Sequence, residues 1–216
     1  STNGGTTWVP SSVTPNQLLG TVTVLGGHTV TIVSGVTIDE TTINSTGTIT
    51  HSAGTLTIGD GNGIDLNVNG TFNANAAVVI NGTVRNSSSI TKSAGGTLTY
   101  NATGVYEHNI NGGAIPSSVW STGSTCSFIG QITNNALTGV NQSYSNVVWN
   151  CPSQTGNLNL SNALSTVNGN FNVVSTGSGQ LILASTTGLN MNIGGNIIIS
   201  GGNLMCAAAS GMSVTI

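Results

Sequence analysis

Between Thr21 and Tyr100, short runs of Thr, Val, Ile and Leu recur roughly every six to ten residues, each closed by Gly, Asn or Ser. The first apolar centres fall near Val22, Val30, Val36, Ile43, Ile49 and Leu56. Alternate residues of a strand face opposite ways, so Val22 and Val24 share one face while Thr21 and Thr23 share the other. β-branched side chains favour this extended, half-buried setting. Gly and Asn between the runs tolerate the positive φ of sharp bends. No stretch carries the 3.6-residue period of a helix. Three such walls per turn predict an all-β chain wound as a β-solenoid, roughly 20 residues per coil.

The rhythm divides the chain. Residues 1–20 hold Trp8, Pro10 and Pro15 and lack alternation. They read as a lead-in that lays an aromatic cap over the first coil, because terminal repeats must close the core. Residues 21–108 read as solenoid coils. Residues 109–157, with Pro116, Trp120, Cys126, Trp149, Cys151 and Pro152, read as irregular coils or a protruding insertion. That stretch is the candidate lateral binding surface, or simply an insulating excursion. Residues 158–216 resume the winding, with Asn in outward slots where stacked amides form ladders. The final Val214-Thr-Ile216 is strand-like and reads as text that continues or pairs beyond this point.

Charge is the second constraint. Only 3% of the 216 residues are charged, against about a quarter in ordinary domains. Every Asp, Glu, Lys and Arg lies between Asp39 and Glu107, and Asn109 to Ile216 has neither these nor His. A surface so bare is poorly protected against association, so it is expected to be covered by another subunit, by more chain or by glycans. Two basic residues give no footing for nucleic-acid phosphates. No apolar run approaches the roughly 20 residues of a spanning helix, and the runs fall short of the roughly 9–11 of a membrane strand. Of three cysteines, Cys126 and Cys151 flank turn-like text and are the candidate disulfide pair, which forms or does not on equal grounds. Cys206 reads as a small buried hydrophobe.

Segments such as GTITHSAGTLTI, LNVNGTF and VVINGTV resemble the β-solenoid repeats of large secreted bacterial surface proteins, nearest to the Bacteroidota type found in type IX secretion cargo and adhesins. The resemblance covers about Thr21 to Val105 and Leu158 to Ile216. It implies an exported right-handed parallel β-helix with a structural, filament-forming or adhesive role at the cell surface. No sorting segment of the kind expected at the end of such cargo is visible in the sequence.

The candidate chemistry is thin. Catalytic β-helices group carboxylates on one wall. Here Asp39 and Glu40 are adjacent, as are Glu107 and His108, so in a strand each pair splits across two faces. Only Arg85 and Lys92 offer cationic help. The chain therefore reads as a non-enzyme. Asp60-Gly-Asn62-Gly-Ile-Asp65 resembles an oxygen-rich Ca²⁺ loop, and also reads as a plain polar turn. Ca²⁺ is the one candidate cofactor. His28, His51 and His108 are too far apart in sequence to argue a metal site. Trp120 and Trp149 are candidate sugar-stacking residues or core aromatics. Thr-x-Thr pairs start at Thr21, Thr29, Thr48, Thr55 and Thr97. Stacked on one wall they would resemble an ice-binding ladder, but the spacing puts neighbours such as Thr48 and Thr55 on successive walls. Asn-x-Ser/Thr triplets at seven asparagines (44, 69, 81, 86, 101, 141 and 159) allow glycosylation where the export route supports it. The leading expectation is a structural solenoid that self-associates into a fibre, rod or layer; the alternative is an adhesin or carbohydrate-binding module.

Overall fold

The computed structural model describes residues 21–59, 63–184, 189–207 and 214–215, and the proposed lead-in cap lies outside them. Among the described residues there is no helix. Parallel strands stack in turns of about 22 residues, about eight turns in the chain: a β-solenoid, as the rhythm predicts. Two compact units can be distinguished, Ser1–Thr99 and Tyr100–Ile216.

In the first unit three walls repeat in strict order. The first wall stacks Val22–Val24, Thr41–Ile43, Leu66–Val68 and Thr83–Asn86. The second stacks Thr29–Ile32, Thr48–His51, Thr71–Ala74 and Ser89–Lys92. The third contains Val36–Ile38, Thr55–Ile58 and Ala77–Ile80. Register keeps like above like. Val24, Ile43 and Val68 form one inward rank, and Ile38, Ile58 and Ile80 another; all are buried. Burying each such side chain contributes about 1.5–3 kcal/mol, so a one-residue slip that turned a rank outward would be strongly disfavoured.

The coils differ in length. Val22 pairs with Thr41, Thr41 with Leu66, and Leu66 with Val84. Corners absorb the difference, and glycine lets backbones meet there. A Cβ on Gly82 would overlap the Gly59 carbonyl and the Asp65 carboxylate. Asp39 and Glu40 occupy such a corner, not a strand: Glu40 has φ 44° and donates its N–H to Asp39 Oδ1 at 3.0 Å. Thr46, at φ 63°, accepts the Gly27 N–H on its hydroxyl at 3.0 Å.

In the second unit the first wall stacks Val105–His108, Thr125–Phe128, Asn146–Asn150, Phe171–Ser175 and Ile197–Ile199. Residues 109–157 therefore wind with the rest. Thr125–Phe128 pairs in full register with Val105–His108 before it and joins Asn146–Asn150 after it. The stretch looks irregular in sequence because its other walls shrink to two residues, as in Leu137–Thr138 and Ser143–Tyr144, joined by longer corners.

Candidate functional site

Polar and aromatic side chains concentrate inside the second unit. His108, Phe128, Trp149 and Val173 form one inward rank, each at most 1% exposed. Phe128 stacks on Trp149 with centroids 4.9 Å apart. Trp120 stacks on Tyr100 at 4.6 Å and 10°, with Tyr144 at 5.1 Å. Such pairs contribute about 0.5–1.5 kcal/mol beyond burial. The two tryptophans are thus core residues with covered rings, not sugar platforms. Alternation in Val147-Val-Trp149 already aligns Trp149 with the buried Val147.

His108 is pinned in one tautomer. Its Nε2–H donates to the Gly112 carbonyl at 2.7 Å, so Nδ1 accepts the Tyr106 hydroxyl at 3.0 Å. Burial holds its pKa below the ordinary histidine value, with the Gly112 bond pulling the other way. Glu107 faces outward from the same strand, so the pair is split across faces as expected. Both ring nitrogens of this buried imidazole are thus engaged within the core.

Three glutamines hold the corners, and sequence reasoning missed them. Gln131 Oε1 accepts the Gly112 N–H at 3.0 Å, and its amide donates to the Thr133 and Asn135 carbonyls at 2.7 and 2.9 Å. Gln142 Oε1 accepts the Ser118 N–H and the Trp120 indole at 2.9 and 3.0 Å, while its amide donates to Gly139 at 2.7 Å. Gln154 Oε1 accepts the Trp149 indole at 2.9 Å, and its amide reaches the Gly156 and Gln180 carbonyls at 2.9 Å each. The signal was present: each glutamine sits in corner text between wall runs (GQITNN, NQSY, PSQTG). Asparagines do link successive coils, but through side chain to backbone bonds rather than through stacked amides in the outward strand slots. Asn146 Oδ1 accepts the Asn170 N–H at 3.0 Å, and Asn170 Oδ1 accepts the Asn196 N–H at 2.9 Å. Side-chain carbonyls bond backbone one coil on, because corner N–H groups lack a ladder partner.

Asp65 is 1% exposed, and its carboxylate accepts the Thr83 N–H of the next coil. It ties coils together; Asp60 and Asn62, the other proposed Ca²⁺ ligands, lie outside the described residues. Among the described residues no group of three His, Cys, Asp or Glu side chains could hold a metal. Cys126 and Cys151 are both buried and free, in place of the candidate disulfide. Cys126 lies opposite Val147, while the Cys151 thiol donates to the Phe128 carbonyl at 3.3 Å. Burial pushes the Cys151 thiol up to about 11 and Cys126 further still.

Two hollows remain. A cleft of about 320 Å³ is lined by Trp120, Thr122, Gly123, Ser145, Asn146, Asn168 and Gly169. Trp120 is only 9% exposed there, and the Asn146 amide is already bonded to Gly123 and Ser124. An apolar recess of about 260 Å³ lies between Val22, Val30, Ile32, Val36 and Ile49 of the first unit.

The second wall of the first unit carries what the spacing had hidden. Thr29–Thr48–Thr71–Ser89 and Thr31–Thr50–Asn73–Thr91 are outward ranks in unbroken register. Thr55 and Thr57 fall on the third wall, as expected, but the Thr29 and Thr48 pairs share the second.

No protein-family model, no curated protein and no solved structure matches this chain.

Proposed function

We propose that this chain is a non-catalytic structural segment of an exported, cell-surface protein, and that its second unit packs against further copies to build a fibre, rod or layer. The observation that carries the reading is the bare outer surface of that unit. Its only charged residue is Glu107, yet Val119, Ile132, Val174, Ile198 and Ile199 are each more than 40% exposed. Neither like-charge repulsion nor a charged hydration layer opposes contact between such surfaces. Asp65 and the three glutamines of the second unit are engaged with backbone groups at the corners. Export and a surface location rest on the likeness of the Thr/Asn-rich coil text to bacterial surface repeats. Glycan adhesion is the weaker reading, because both candidate tryptophans are buried.

Sedimentation velocity over a wide concentration range, with negative-stain imaging, tests the proposal. Concentration-dependent growth that Val174→Lys and Ile198→Lys both weaken is the expected result. A monomer at every concentration overturns it.

A further inference from the structure

The four strands Thr29–Ile32, Thr48–His51, Thr71–Ala74 and Ser89–Lys92 present a two-dimensional array. Its eight outward positions hold six threonines, one serine and one asparagine, read from the two register ranks. Strand spacing repeats the array at roughly 4.7–4.9 Å along the stack, and alternate residues repeat it at roughly 6.6 Å along each strand. Thr29, Thr31 and Thr91 are exposed and the other five half-buried.

Three of the eight side chains are tied to one another across the coils. The Asn73 amide donates to Thr50 Oγ1 at 3.2 Å, and Thr91 Oγ1 donates to Asn73 Oδ1 at 2.7 Å. Beneath them Ile49 and Phe72 are 3% and 1% exposed and hold the backbone down. At Thr50, Asn73 and Thr91 little side-chain freedom is left to lose on binding. The wall is neutral apart from Lys92 in its last strand.

A soluble ligand would use one or two of these hydroxyls. Only a partner that repeats in two dimensions can use the whole array, and a crystal face extends that repeat across all eight positions. A crystalline polysaccharide calls for outward aromatic rings to stack on sugar faces. The one aromatic in these strands, Phe72, points inward. Each threonine instead offers a methyl beside a hydroxyl that both donates and accepts, which suits ordered water.

We propose that this wall binds ice. The proposal is independent of self-association, which rests on the other unit, so either can fail alone.

The test uses the full 216-residue chain in an ice-recrystallisation assay and in uptake into a slowly grown ice hemisphere. Thr50→Lys disrupts the array centre, and Thr29→Lys repeats the test at its edge should the first variant lose its strand signal in circular dichroism. Thr57→Lys places the same charge on the third wall. Slowed grain growth and uptake, lost in the array variants and kept in Thr57→Lys, are expected. Grain growth no slower than with albumin overturns the proposal. So does equal loss in all variants, or pelleting with microcrystalline chitin or cellulose without any effect on ice.

Discussion

Replacing Gln154 asks whether buried amides hold this solenoid together. Gln154 is fully buried and makes three bonds at 2.9 Å: one from the Trp149 indole, and one each to the Gly156 and Gln180 carbonyls. Gln154→Leu keeps the volume but strands one buried donor and two part-buried acceptors. Each stranded group costs about 1–3 kcal/mol, less about 1–2 kcal/mol recovered from the added apolar surface. The net loss is about 1–8 kcal/mol, against a typical total of about 5–15 kcal/mol. Gln154→Glu sharpens the test. A carboxylate can still accept the indole N–H, but it meets two carbonyl oxygens with no proton to give. Protonated, it donates to one of them. Its folded pKa is therefore raised above the unfolded value of about 4.3, so its stability is fully present below that value and lost as pH rises through the folded pKa. Urea melts followed by circular dichroism read both effects. A Gln154→Leu midpoint equal to wild type, or a Glu variant as stable at pH 8 as at pH 4, would refute the reasoning.

His51 is fully buried with neither ring nitrogen hydrogen-bonded, and desolvation lowers its pKa against a smaller opposing pull from the Ala53 and Gly54 backbone. The unfolded chain takes up a proton near pH 6.5, so stability is intact above that pH and falls as pH drops towards the folded value. His51→Leu should raise the melting temperature and flatten part of that slope, the rest belonging to His108; an unchanged slope would count against the assignment. The thiols of Cys126 and Cys151, buried and free with raised pKa values, should resist a thiol reagent at pH 8 until urea unfolds the second unit. Rapid labelling of either in the native protein would show that the core is open.

The walls were legible because their cause is local. In Thr48-Ile-Thr-His51, as in Thr55-Leu-Thr-Ile58, alternation alone decides which residues enter the core. Which wall lies above which was not legible, since corners change length from coil to coil. Thr41 to Leu66 is a longer step than Leu66 to Val84, so Thr71 and Ser89 join the Thr29 and Thr48 rank without sharing their text. Residues 109–157 hid their winding for a related reason. Where walls shrink to Gly113–Ala114 and Leu137–Thr138, order comes from Gln131 and Asn111 bonding corner backbone, and period analysis does not register that. Asn111 Oδ1 accepts the Ile132 and Thr133 N–H groups at 3.0 and 2.9 Å.

Scarcity of charge and richness in amides are connected. Every irregular corner leaves N–H and C=O groups that must find partners. A carboxylate or ammonium could serve only one kind and would carry a desolvation penalty of several kcal/mol into the interior. A glutamine serves both kinds from one side chain, and Gln131, Gln142 and Gln154 each do so. Asp65 serves one corner as a buried carboxylate, but at the glutamine corners charge is dispensable. Its absence matters outside, where a net charge of −3 spread over 216 residues does little to keep copies apart. A chain that stabilises its corners with neutral amides leaves its outer walls free to be selected for contact. The lysine substitutions on those walls should therefore change what the protein associates with far more than they change how firmly it folds.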